Sequence, residues 1–247
     1  MSLNHKEIDA VLAGLDAEGS HLQKIKQPDY HTLYLEFYKP GGKFGIKVCL
    51  APGRTRLHLD PRAPVSEIKM QRFVQFMRSR VKGGRITGIR QIDDDRIVRI
   101  DMTRAGEELI IWIRLWSGAA NIIVSDPEGF IHDAFYRRPG RGEVSGGNFH
   151  LPEKQDKKKK REFTIRELEG EGSFNEKIRC YYETIEHEEE LERLRERALK
   201  KIDTDYARIS SIILNLEKKT AQYIDYEAYK QTADLIISNI HLIKKGM

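Results

Sequence analysis

The sequence predicts an α+β fold, a mostly antiparallel β-sheet domain followed by a long antiparallel helical (coiled-coil) arm, and three observations carry that expectation. Between residues 21 and 136 apolar side chains recur with the period of two that a half-buried strand requires, and each run closes on Gly, Pro, Asn or Asp. From Arg137 to Arg161 nine basic residues stand against three acidic ones, with Gly and Pro interleaved, which is a linker composition. Beyond Ser173 the apolar period lengthens to three to four residues in a charged background, the signature of long helices.

The elements follow in order. Residues 3–15 read as a short helix, with Asn4 and Glu7 spaced as a capping pair and Ile8, Val11, Leu12 and Leu15 on one face. Strands are expected at 21–25, 32–38, 44–50 and 54–59, punctuated by Pro28, Pro40-Gly41-Gly42 and Pro52-Gly53. A helix over 67–82 has Met70, Phe73, Val74, Met77 and Val81 inward and a basic outer face of Lys69, Arg72, Arg78, Arg80 and Lys82, and Gly83-Gly84 stops it. Further strands fit 85–92, 96–103, 107–116, 121–125 and 130–136. The expected domains are 1–150 for the sheet unit, 151–174 for a basic linker and 175–247 for the arm. In the arm, Leu191 to Leu216 and Ala228 to Ile243 carry two stripes, and a bend at Tyr223-Ile224-Asp225 lets them fold back as an antiparallel pair. The chain closes on Lys244-Lys245-Gly246-Met247 where that helix is due to cap, so a longer protein is expected.

Composition narrows the function. A net charge of +5 suits a polyanionic partner, nucleic acid or an acidic membrane surface. Two cysteines, Cys49 and Cys180, form no C-x-x-C and no disulfide framework, and no apolar run is long enough to span a bilayer, so a cytoplasmic protein with free thiols and no membrane partner is expected. The eight histidines are scattered singly, without H-E-x-x-H or an EF-hand loop, so no metal is expected. Neither G-x-G-x-x-G nor a P-loop occurs, and G-x-S-x-G spacing is absent. No cofactor and no enzymatic activity are expected.

The segment Gly83 to Ile100 holds the sharpest signal, two strands joined by a turn rich in acids that ends on Asp95-Arg96. Val98, Ile100 and Met102 share one face, and Arg96 falls on that apolar parity at the strand's start. An arginine there needs partners. Asp95 or Asp94 neutralises it inside the fold, or the guanidinium is held rigidly for a phosphate or base, and the sequence leaves both open. Arg137, Arg138 and Arg141, with Lys157, Lys158, Lys159 and Lys160, are either a solvated tether or a source of sequence-blind phosphate attraction.

An ordered series of blocks resembles the NFACT family, also called the fibronectin-binding protein A family. It comprises the opening helix, the Gln27 segment, Arg54-Thr55-Arg56-Leu57-His58-Leu59, the Met70–Arg80 helix with Gly83-Gly84-Arg85-Ile86, and Gln91 followed by Asp95-Arg96-Ile97. Ser117 to Ile123 with Asp126, Gly129 to Ala134, and Asn239 to Gly246 complete it. The resemblance implies a first domain similar to the N-terminal domain of formamidopyrimidine-DNA glycosylases, then a coiled-coil arm. It also implies a role in ribosome-associated quality control, with tRNA and the large ribosomal subunit carrying a stalled nascent chain as partners. The family's Asp-Arg signature for tRNA-dependent tailing of that chain maps onto Asp95 and Arg96. Between sheet and arm the family carries a helix-hairpin-helix module, for which the stretch from Phe163 to Asn175 is too short, and its C-terminal RNA-binding domain is absent from these residues. Three rivals stand beside the RNA reading. A glycosylase needs an N-terminal proline amine, where this chain has Ser2-Leu3 after Met1. A fibronectin-binding surface protein needs export, which nothing here explains. A catalytically inactive, glycosylase-like scaffold would dock protein partners on its arm.

Overall fold

The structure, a computed structural model, describes residues 1–66, 68–151 and 162–243. The chain divides into two compact units, Met1–Glu183 and Thr184–Met247.

The first unit opens with α1 (His5–Ala13), whose capping box is the one the Asn4/Glu7 spacing announces. Strands β1 (His21–Lys26), β2 (Thr32–Lys39), β3 (Gly42–Cys49) and β4 (Arg56–Leu59) follow. Next comes α2 (Arg72–Phe76), which runs straight into a π turn over Met77–Val81. A second run of strands is β5 (Arg85–Gln91), β6 (Ile97–Arg104), β7 (Glu107–Arg114), β8 (Asn121–Ser125) and β9 (Ile131–Ala134). All nine join one antiparallel sheet in the order β4-β3-β2-β1-β5-β6-β7-β8-β9. β1 and β5 share a single register pair, His21 with Arg85, so the sheet is two meanders hinged at one corner.

Val98, Ile100, Met102, Ile111, Ile113, Ile122 and Val124 are buried with Leu33, Leu35, Phe37, Ile46 and Val48 of the first meander and Ile8 and Val11 of α1. Burying such side chains contributes about 1.5–3 kcal/mol each. The opposite face of β6–β9 is covered too. Ile97, Ile110, Trp112, Ile123, Ile131 and Ala134 form a second cluster against Ile92, Trp116 and Phe149. That is why β8 is buried at every position instead of alternating, as its unbroken apolar run permits.

Two expectations need correction. The helix expected from residue 67 starts at Arg72, because Gln71, in extended conformation, is its N-cap. The antiparallel helical pair is replaced by one helix, α3 (Phe174–Ser238, 65 residues), so the arm is helical without a fold-back. No Gly or Pro interrupts these residues, and at Tyr223-Ile224-Asp225 every residue keeps the N–H that helix continuation needs. Its stripe residues Leu191, Leu194, Ile202, Ile209, Ile212 and Leu216 are exposed.

The root of α3 belongs to the sheet unit. Ser173 and Glu176 cap it, and hydrogen bonds from Ser173 lower the Glu176 pKa. Asn175 donates to the Val11 carbonyl and accepts from the Leu59 N–H, while Tyr182 donates to the Met1 carbonyl and lies under the Arg56 guanidinium at 4.1 Å. Ahead of it, Arg166 grips the fully buried Glu7 carboxylate through Nε and Nη2, and Asn4 Nδ2 donates to the Thr164 carbonyl. Burial works against the charged Arg166, yet the hydrogen bonds to Glu7 and Tyr182 carry its pKa above the ordinary arginine value.

Removing one partner of such a pair strands the other charge. Arg166→Met is therefore expected to lower unfolding free energy by about 3–5 kcal/mol, read as a fall in the urea midpoint, and adding Glu7→Gln should recover part of it.

Candidate nucleic-acid interface

The turn between β5 and β6 is built by its acids. Ile92 N–H donates to the Ile97 carbonyl and Asp95 N–H to the Ile92 carbonyl, closing a turn whose central residues, Asp93 and Asp94, have φ of 51° and 50°. Two left-handed residues in succession make the I′ type, whose twist matches a hairpin, and aspartate tolerates that region better than most side chains. Asp95 is then committed to structure. Its Oδ1 accepts from the Arg96 N–H at 2.7 Å and from the Trp116 indole at 3.0 Å, and its carbonyl accepts from Gln91 Nε2 at 2.8 Å.

Arg96 is left over. Its backbone is fixed, since its carbonyl accepts from Leu115 N–H at 2.8 Å, but its guanidinium makes no hydrogen bond or ion pair with any described residue. Of the two readings left open by the sequence, neutralisation by Asp95 or Asp94 is not the one seen. The side chain is half-buried, and burial lowers its pKa from the ordinary arginine value, with Asp95 nearby opposing. A partly desolvated cation without a partner is an unfavourable arrangement that an incoming anion relieves.

Antiparallel pairing gathers the other candidates at the same end of the sheet. Ile97 pairs with Arg114, Arg114 with Asn121, and Asn121 exchanges hydrogen bonds with Tyr136, so Arg96 and Arg137 flank the same end of the sheet, three strands apart. Arg137 is exposed and only loosely engaged, 3.8 Å from Asp133 and 3.4 Å from Ser145 Oγ. Arg138 lies 5.6 Å from the Tyr136 ring centroid, and its Nη1 is buried without a hydrogen bond. Arg141 ends a single 3-10 turn, Pro139–Arg141, and its side chain is exposed. Lys157, Lys158, Lys159 and Lys160 lie outside the described residues.

Sequence reasoning missed what holds this end together. Arg114, buried, is paired with Glu143 and donates to the Ala119 carbonyl at 2.7 Å, while Asn121 Nδ2 donates to Glu143 at 2.7 Å and to the Tyr136 carbonyl at 2.9 Å. Arg114 also lies 5.3 Å from the Trp116 ring. The Tyr136 hydroxyl donates to the Tyr30 carbonyl and lies 2.7 Å from His31 Nδ1, and burial, aided by Cys49 and Asp29, pushes its pKa up to about 12. The signal available was an arginine inside the otherwise apolar run Leu109–Leu115, which demanded a buried acid.

The fold has known counterparts. A family profile described as the NFACT N-terminal and middle domains matches residues 7–171. The chain belongs to the NFACT family. A curated relative, the Rqc2 homolog RqcH of Bacillus subtilis, is 24% identical over 150 residues, which is 56% of this chain and 26% of that protein. This NFACT chain thus spans about a quarter of that relative's length. In fold it is similar to the N-terminal part of a fibronectin/fibrinogen-binding protein from Streptococcus suis (TM-score 0.58, 21% identity, 62% of each chain). A fibrinogen binding protein from Staphylococcus aureus is also similar (TM-score 0.55, 22% identity, 63% of this chain and 58% of that one). The N-terminal domain of PavA from Streptococcus pneumoniae is a third (TM-score 0.51, 19% identity, 56% of each).

Because Asp95 holds the loop through three groups, Asp95→Ala is expected to cost about 1–3 kcal/mol and to change Trp116 emission as the indole loses its acceptor. Chemical unfolding followed by tryptophan fluorescence reads both.

Proposed function

We propose that this NFACT chain is a non-enzymatic RNA-binding module of a ribosome-associated quality control factor, working in the cytoplasm on tRNA and on the large ribosomal subunit that carries a stalled nascent chain. The observation that carries the proposal is Arg96, whose backbone is held in place and whose half-buried guanidinium makes no hydrogen bond or ion pair among the described residues. Asp95 accepts from the Arg96 backbone and not from its guanidinium, and so sets the position from which Arg96 meets a phosphate. Arg137, Arg138 and Arg141, along the same end of the sheet, add charge that is blind to sequence, and Lys157–Lys160 extend it along the chain. The similarity to RqcH supports the ribosomal setting. No bond is made or broken by the polypeptide in this reading. The fibrinogen and fibronectin in the neighbours' titles belong to those proteins, and no feature of this site favours them.

Arg96→Met tests the proposal in two directions at once. Affinity for tRNA should fall roughly tenfold or more, the value of one charge-assisted phosphate contact, while the thermal midpoint stays level or rises because an unpaired cation has gone. Unchanged tRNA affinity in the folded variant removes Arg96 from the site. Across about four to six phosphate contacts, log affinity for the wild type should fall with log salt by about 0.7–0.9 per contact, measured by fluorescence anisotropy.

A further inference from the structure

Seven basic and no acidic residues lie between positions 68 and 92, and the function proposed above uses none of them. Two are compensated in the fold, Arg72 by Asp133 and Arg90 by Asp101. Arg78, Arg80, Lys82 and Arg85 are different. Arg78 spends Nε and Nη2 on one uncharged acceptor, the Ile25 carbonyl, at 3.3 and 3.0 Å. Lys82 and Arg85 are exposed, and neither side chain has a hydrogen bond or ion pair among the described residues. Arg80 meets a single carboxylate, Glu107, at 3.7 Å, with both side chains more than half exposed, a pairing worth little in water.

The fold draws these charges together and adds another. The π turn ends where Lys82 N–H reaches back to the Met77 carbonyl, and Gly83 N–H donates to the Leu22 carbonyl while Leu22 N–H donates to the Gly84 carbonyl, which fixes the turn to β1. Arg104, from the hairpin between β6 and β7, donates to the Ser79 carbonyl at 2.7 Å, so it brings a positive charge to the turn without neutralising it. Arg85 opens β5 opposite Thr103, next to Arg104 in sequence. These residues lie at the end of β5–β7 remote from Arg96, which precedes β6 where Arg104 closes it.

We infer that Arg80, Lys82, Arg85 and Arg104 form a second phosphate-binding surface, separate from the Arg96 end, that takes the sugar-phosphate backbone of an RNA duplex. Cations held on a π turn and a hairpin keep fixed spacings, which suits a regular double helix recognised by shape. Unpaired bases need free aromatic platforms, and α2 offers none, since Phe73 is buried and Phe76 half-buried. Guanidinium groups, three of the four here, match phosphate oxygens in planar, paired geometry.

The test uses the whole chain with Arg80→Gln, Lys82→Gln and Arg85→Gln combined, leaving Arg104 to hold Ser79, and a Lys82→Gln, Arg85→Gln double variant in case the triple misfolds. The probe is an RNA duplex of about 16 base pairs. Affinity should drop at least tenfold near 0.1 M salt, and the salt slope should shrink by about 2 for the triple variant. The same fold-loss should recur in an Arg96→Met background, because the two sites share no partner. If Arg96→Met leaves duplex and tRNA affinity intact while the triple variant weakens duplex binding, the Arg96 reading fails and this surface stands. Unchanged duplex affinity and slope in a folded variant overturns it. So does a loss confined to vesicles of phosphatidylserine and phosphatidylcholine, which would make the patch a membrane contact.

Discussion

The buried ion pair between Arg114 and Glu143 is the constraint on which the Arg96 end of the sheet depends. Two charges taken from water cost several kcal/mol each, and only close geometry with further hydrogen bonds offsets that. Here the side chains are 8% and 6% exposed, and the Ala119 carbonyl and Asn121 amide take up the remaining valences. The pair therefore fixes the 137–143 loop, closed on itself by backbone bonds between Arg138 and Glu143, onto the ends of β7 and β8. Trp116, beside Arg114, reaches Asp95, and Asp95 positions Arg96. A charge buried between strands thus sets where an unpaired charge stands at their edge.

Arginines in this unit fall into two physical kinds. Arg114 and Arg166 are locked to carboxylates that are themselves buried, and such pairs specify how segments dock. Arg78 and Arg104 are oriented by carbonyls, and Arg96 has its backbone held, so all three are placed without a hydrogen-bonded carboxylate on the guanidinium. A modest net charge of +5 conceals this division, because what a polyanion meets is the uncompensated set and not the sum.

The arm shows a related separation between root and stem. Residues of α3 up to Tyr182 are anchored by Asn175, Tyr182 and the stacked Arg56, with His58 parallel to the Tyr182 ring. Beyond Glu183 the helix is continuous, and the large apolar residues Leu191, Leu194, Ile202, Ile209, Ile212 and Leu216 are exposed. Helix continuity there follows from local chemistry, the lack of any breaker, whereas coverage of the stripe requires a partner surface.

By itself the sequence determined the element order, the α1 capping box, the nine strands and the helical character of the arm, because period, caps and turn residues are local properties. It also singled out Asp95 and Arg96, from an arginine at an apolar parity after a run of acids. It did not determine which atoms the Asp95 carboxylate serves, since Trp116 comes 21 positions later and only antiparallel pairing brings it alongside. Nor did it reveal that Glu143 completes Arg114, that Arg166 closes on Glu7, or that the fold-back suggested at Tyr223 does not form. The pairings rest on contacts between residues distant in the chain, and tertiary structure alone decides them, whereas at Tyr223 the lack of a helix breaker, a local property, outweighs a weak bend.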